Sequence, residues 1–368
     1  MEELYHGPYK IDISQVLDKL RVFSARRVLI QAPLGFRGIA AKLAVLLADR
    51  GFTPVLSNSA CWGGCDIAYS EAEQVKADAI LHLGHSPFMR RDKIPTVYVE
   101  CRYADPSPLM NMLPKIREAL KGVSVIGLGA SVQWLDHITL LASYLEDNGI
   151  STRIAKPSMF AMHNAQVLGC DYSGLKQLEA DVDAFIVLGS IFHALGIALI
   201  SSKTTYAVDP ITQTVKELGD YRRRILMQRY ANIQKFAEAS KVGVVVSTKP
   251  GQMRSGLAVL LAHVLRDNGK HATIIATDEI DDKLITEYPF EAYVNTACPR
   301  ISVEDQARYA KPVLLPAECL AALRLLSWED IINKGLLMLP WGWSGEASNI
   351  FWKILNASRS EREEVGIV

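Results

Sequence analysis

The chain has 368 residues with 40 basic and 40 acidic side chains, so no net charge would tie it to nucleic acid or to an anionic membrane. At 49% apolar and 22% charged residues it has a globular composition, which excludes disorder as its main character and leaves room for more than one core. The polar, acidic start lacks the apolar stretch of a secretory leader, so the six cysteines are expected to be reduced thiols in a cytoplasm and not a disulfide framework.

Three stretches share one grammar. In the first, a strand Arg27–Gln31 leads through a Pro/Gly loop into a helical run Ile39–Asp49 that Gly51 ends, and a second strand, Thr53–Leu56, follows. The second copy runs from Val123–Ile126, past Gly127 and Gly129, into an apolar-periodic run closed by Asp147-Asn148-Gly149, then a strand Thr152–Ala155. The third has Val242–Ser247, the loop Lys249-Pro250-Gly251-Gln252, a helix Leu257–Arg266 stopped by Asp267-Asn268-Gly269, and a strand Ala272–Ala276.

A third strand recurs at 78–84, 183–189 and 291–297, and a fourth at Thr96–Glu100, Thr205–Val208 and Pro312–Leu315. Continuous apolar strands alternating with helices predict parallel sheets covered on both faces. The expected fold class is therefore α/β: three pseudo-symmetric small α/β domains, bounded at 1–120, 121–240 and 241–368, with a helical stretch Thr212–Ala239 closing the second. The very apolar run Ala184–Ile200 reads as a strand, a turn and a helix start; it contains His193 and two glycines and falls short of a membrane span.

In parallel α/β sheets ligands sit beyond the carboxyl ends of the strands, and one cysteine of each repeat falls there. These are Cys65 in Cys61-Trp62-Gly63-Gly64-Cys65-Asp66, Cys170 in Leu168-Gly169-Cys170-Asp171, and Cys298 in Ala297-Cys298-Pro299-Arg300. If the repeats surround a pseudo-threefold axis, three thiolates converge and leave one ligand position open. Zinc with a water fits that set, and so does a [4Fe–4S] cluster with one free iron; spacing alone does not choose. The plain alternative is that all three are small buried apolar residues. The C-x3-C-x2-C signature of ordinary radical S-adenosylmethionine enzymes is absent, because Ala68 stands at its third position. Cys101 and Cys319 read as packing residues.

Together the segments Trp62-Gly63-Gly64-Cys65-Asp66, Val167-Leu168-Gly169-Cys170 and Ala297-Cys298-Pro299-Arg300-Ile301-Ser302 resemble the diphthamide biosynthesis family. Leu83-Gly84-His85-Ser86, Phe192-His193, Tyr206 to Pro210 and Lys249-Pro250-Gly251-Gln252 support the likeness, which spans about Val28 to Leu325. The resemblance implies that Cys65, Cys170 and Cys298 hold a [4Fe–4S] cluster at the common interface of the domains, and that its unique iron binds S-adenosylmethionine. It implies an unusual radical transferase: the bond from sulfur to the methionine γ-carbon breaks, and the 3-amino-3-carboxypropyl group passes to a histidine of translation elongation factor 2. It further implies a cytoplasmic homodimer served by an electron donor, with no nucleic acid or membrane as partner.

Candidate substrate-binding residues are Gly35, His85, Ser86, His193, Lys249, Gln252 and Arg300, all on loops that follow strands. Arg222, Arg223, Arg224 and Arg229 with Tyr221 and Tyr230 read as a basic, aromatic helix face. Two other readings stay open: a non-radical [4Fe–4S] lyase of the quinolinate synthase type, and a non-enzymatic metal-binding or redox-sensing scaffold. The absence of GxGxxG and of GxxxxGK[ST] argues against dinucleotide and Walker-type sites.

Overall fold

The computed structural model describes residues 3–89, 91–338, 349 and 351–356. Strands β1 (Glu3–His6) and β2 (Tyr9–Asp12) form a hairpin. Strands β3 (Arg27–Gln31), β4 (Thr53–Leu56), β5 (Ala79–Leu83) and β6 (Thr96–Val99) make the first parallel sheet, and β7 (Arg102–Tyr103) returns to pair antiparallel with β2. Strands β8 (Val125–Ala130), β9 (Ser151–Ile154), β10 (Ala184–Leu188) and β11 (Thr204–Asp209) make the second, with β12 (Thr214–Glu217) added antiparallel at its edge. Strands β13 (Lys241–Ser247), β14 (His271–Thr277), β15 (Ala292–Asn295) and β16 (Val313–Leu314) make the third.

The spatial orders are β4-β3-β5-β6, β9-β8-β10-β11 and β14-β13-β15-β16, one topology repeated three times. Within each, the chain runs from the first strand outward to one side and returns to the other, so the crevice opens between the first and third strands. Two local devices recur as well. Asp78, Asp183 and Glu291, each just ahead of the third strand, accept hydrogen bonds from the backbone N–H groups that begin the first strand: Arg26 and Arg27, Ser124 and Val125, Ser240 and Lys241. Gly51, Gly149 and Gly269 end the first helix of each repeat at φ of 84°, 83° and 78°, a conformation that costs glycine least.

The sequence reading of the strands stands within a residue or two for most elements. It misses the β1–β2–β7 sheet, whose strands have four residues or fewer. It also takes Thr212–Ala239 as helical throughout, whereas β12 precedes the helix Gly219–Glu238. The run Ala184–Ile200 divides into β10 and the helix Ile191–Ile200, of which Ala194 through Ile200 are all buried. A helix apolar on every side needs cover on every side. It finds this in a core that residues of the second and third repeats share, where Leu195, Ile197, Leu199 and Ile200 each contribute roughly 1.5–3 kcal/mol. No helix among the described residues is long and apolar enough to cross a membrane. Trp341 and Trp343 lie outside the described residues, while Trp352 packs against the shared core.

The basic helix face is smaller than the sequence implies. Arg229 is fully buried, its Nε donating to Glu318 Oε1 at 2.7 Å, with further bonds to the carbonyls of Ser302 and Val313. This pair ties the helix Gly219–Glu238 to the helix Pro316–Ala322. Changing Glu318→Gln strips a buried guanidinium of its counter-charge and should cost about 3–5 kcal/mol in urea unfolding, whereas the double change Arg229→Met with Glu318→Leu should recover much of that loss. Equal losses in the single and double variants would show that shape, not charge, sets the requirement.

Candidate metal centre

Cys65, Cys170 and Cys298 line one cavity of about 1170 Å³. Burial raises all three thiols, Cys65 to about 12. After burial, charge on Cys298 opposes ionisation of Cys65, and charges on Cys298 and Cys65 oppose that of Cys170. All three residues are partly exposed, as is Cys61, while Cys101 and Cys319 are buried as packing residues.

Each cysteine is set by its own loop. The backbone N–H of Gly251 donates to the Cys65 carbonyl at 2.8 Å, and Gln252 Nε2 lies 3.3 Å from the Cys65 sulfur. Asp66 and Asp171, each next to its cysteine, are buried and tied down: Asp66 accepts from Trp62 N–H, and Asp171 accepts from Ser158 Oγ, Phe160 N–H and Ser173 N–H. In the third repeat Asn295 Nδ2 donates to the Cys298 carbonyl at 2.8 Å, and Pro299 starts the short helix Pro299–Val303.

Of the residues singled out from the sequence, His85, Ser86, His193, Lys249, Gln252 and Arg300 all line the same cavity. Gly35 does not; it sits in an exposed 3-10 turn, Leu34–Phe36. Lys249 is no free anion site, because its ammonium lies 2.8 Å from Glu279, 3.1 Å from Asp278 and 3.6 Å from Asp66. Arg300 stacks over the Phe192 ring at 3.0 Å from its centroid and pairs with Glu304 through Nε and Nη2. Its charge favours the thiolate of Cys298, and also that of Cys170. Burial lowers His85 to about 4, and burial with the Arg300 charge lowers His193 to about 3, so both imidazoles are neutral near pH 7.

Sequence reasoning overlooks a polar strut beneath the cavity. Glu100 accepts from His163 Nε2 at 2.6 Å, from Ser86 Oγ at 2.8 Å and from Arg102 Nη2 at 2.7 Å, and Gln166 donates to Ser86. His163 and Gln166 lie 63 and 80 positions along the chain from Glu100 and Ser86, their partners here, so only the assembly reveals the strut. Burial pushes the Glu100 carboxyl up, but the bonds from His163, Ser86 and Arg102 outweigh it and hold it at about 2.

Three partly exposed thiols on one cavity wall suit a metal centre, by donor chemistry and by space. The cavity exceeds the roughly 300–1,000 Å³ of a usual small-molecule pocket, leaving room for an inorganic centre and a substrate. Among the described residues, the trio whose ligand atoms all lie within 4.8 Å of one another is Cys61, His82 and His85; the three cavity cysteines do not meet that limit. Three thiolates with one position left over suit a zinc with a water or a cubane with one free iron.

The family model for diphthamide synthesis proteins matches residues 32–332. A 2-(3-amino-3-carboxypropyl)histidine synthase from Pyrococcus horikoshii is 34% identical over 310 residues, covering 84% of this chain and 89% of its own length. Subunit 1 of the human 2-(3-amino-3-carboxypropyl)histidine synthase is 23% identical over 335 residues, covering 88% of this chain and 74% of its own. The crystal structure of Dph2 from Pyrococcus horikoshii with a 4Fe-4S cluster superposes with a TM-score of 0.80 at 31% identity, covering 89% of this chain and 93% of that one.

Two measurements test the geometry. A Cβ at Gly251 would lie 2.5 Å from the Cys65 Cα, so Gly251→Ala must push the third-repeat loop off Cys65; iron bound per chain should fall while the far-UV spectrum is kept. The Glu100 carboxyl titrates at about 2 in the fold against an ordinary 4.5, so its stabilisation is complete above about pH 5 and drains as pH falls towards 2. Relative to wild type, Glu100→Gln should lose about 3 kcal/mol at pH 7, and urea midpoints of the two should approach one another with acid; a gap independent of pH would refute this.

Proposed function

The chain belongs to the diphthamide synthesis family, and from that premise we propose that it transfers the 3-amino-3-carboxypropyl group of S-adenosylmethionine to a histidine of translation elongation factor 2, the first step of diphthamide formation. The observation that carries the reading is the meeting of Cys65, Cys170 and Cys298, one from each repeat, at a single cavity. They are the residues that would hold a [4Fe–4S] cluster, with one corner left for substrate. When bound, that cluster supplies the electron that cleaves the sulfonium bond to the methionine γ-carbon, releasing methylthioadenosine and the radical to be transferred.

The rest is positioning by this chain. Gln252 Nε2 donates towards the Cys65 sulfur, a bond that stabilises its thiolate form. Arg300, anchored between Phe192 and Glu304, favours the thiolates of Cys298 and Cys170. Neutral His85 and His193 line the wall without repelling a cationic sulfonium. Asp278 and Glu279 add carboxylate at the same wall, suited to the cationic end of the substrate. Which carbon reacts is then a matter of which one these groups hold in line.

The reading extends to a homodimer in the cytoplasm, to an electron donor and to elongation factor 2 as protein substrate, all supported by the family resemblance. Anaerobic protein with dithionite and S-adenosylmethionine should yield methylthioadenosine and no deoxyadenosine. Cys65→Ala, Cys170→Ala or Cys298→Ala should each lower iron and labile sulfide and bring that yield to background. Zinc without sulfide in the purified wild type would instead support a scaffold, and sulfide with no methylthioadenosine would support a lyase.

A further inference from the structure

The first repeat carries a second set of metal donors, of which only His85 also lines the three-cysteine cavity. His82 sits on β5 and is wholly buried; His85 lies three residues on, in the turn after the strand; Cys61 comes from the loop beyond β4. His82 Nε2 is 3.0 Å from His85 Nδ1 and 3.9 Å from Cys61 Sγ, and all three ligand atoms lie within 4.8 Å of one another.

The surroundings fix which lone pair faces the trio. Gln31 Nε2 donates to the Asp66 carbonyl at 2.7 Å, and Gln31 Oε1 accepts from the Ala68 N–H at 3.1 Å, so the orientation of the amide is settled. The same Oε1 lies 3.0 Å from His82 Nδ1, which must therefore carry the proton. His82 Nε2 is left with one lone pair, aimed at two groups, the His85 ring and the Cys61 thiol. Without an ion that single lone pair can accept from only one of them fully. With an ion, all three donors are satisfied at once. A carbonyl-type acceptor behind a histidine is also the usual support of a ligating imidazole.

From this juxtaposition we propose that Cys61, His82 and His85 bind a zinc ion, as a site separate from the three-cysteine centre. Tetrahedral zinc has bonds of about 2.0–2.1 Å to nitrogen and about 2.3 Å to sulfur, which sets N···N near ~3.3 Å and N···S near ~3.6 Å. The observed 3.0 Å and 3.9 Å each need to change by only a few tenths of an ångström. Two imidazoles and a thiolate are a donor set that zinc takes readily, and three protein ligands leave a fourth position for water. On binding, the Cys61 thiol gives its proton to solvent and the sulfur forms the bond to the metal; no electron moves. The Asp66 carboxylate, near enough to oppose ionisation of Cys61, becomes a favourable neighbour once a dication is present. The ion would clamp the turn that carries His85 to the loop that leads into Cys65.

The test uses the full chain with its cluster centre removed, the variant Cys65→Ala, Cys170→Ala, Cys298→Ala, so that its outcome is independent of the transferase reading. After exposure to zinc and desalting, about one zinc per chain should remain. Adding Cys61→Ser and His82→Gln should remove it, and Gln31→Leu should weaken it about 10–100-fold. Cobalt in place of zinc should show a thiolate-to-metal charge-transfer band that Cys61→Ser abolishes. If the triple variant does not fold, wild-type apoprotein prepared by chelation serves, the reading then being the loss of about one zinc per chain on adding Cys61→Ser and His82→Gln. Zinc retained in the variant lacking Cys61 and His82, or no zinc held by folded chain, would overturn the proposal.

Discussion

A parallel sheet offers its strand ends to a ligand on one side only, so three such sheets can share a centre only if those sides are turned towards each other. That orientation is the constraint on which the molecule depends, and each seam enforces it differently. Between the first and third repeats, Lys249 reaches Asp66, Trp62 Nε1 reaches Glu279 at 2.9 Å, and Gly251 donates to the Cys65 carbonyl. Between the first and second, Phe88 stacks on Phe160 at 4.2 Å, Arg102 pairs with Asp136, and Gln133 donates to the Gly84 carbonyl. Between the second and third, an apolar core does most of the holding, with Arg300 on Phe192 nearest the cavity.

The repeats were legible because their signals are local. Apolar strands such as Ala184–Leu188 and helix stops such as Asp147-Asn148-Gly149 announce themselves within a few residues. So did the loops bearing Cys65, Cys170 and Cys298, since the position of a loop after a strand already says which end of the sheet it occupies. What escaped depends on pairing across distance. Nothing near Glu100 in the chain says that His163 will face it, and Lys249 reads as an anion-binding lysine until Asp278 and Glu279 arrive beside it. Arg229 sits among surface arginines in the sequence and is buried only because Glu318 meets it. Gly35 shares the Pro/Gly composition of a ligand loop but lies on the outward side of its turn.

Charge in the cavity is arranged by neutralisation. The imidazoles of His85 and His193 are kept uncharged by burial, and Lys249 and Arg300 each already have a carboxylate partner. Thiols held high by burial bind a metal only by releasing their protons, so loading the centre and titrating its sulfurs are one process.

The seams are unequal in kind. The core drawn from residues between Ile11 and Cys101 belongs to the first repeat alone, while the second and third, beside cores of their own, share a large one. Polar joints between units resemble the interfaces of transient complexes and part more easily than a continuous apolar one. Cys65 is therefore held to the centre across polar joints, whereas Cys170 and Cys298 stand on repeats that one apolar core binds together.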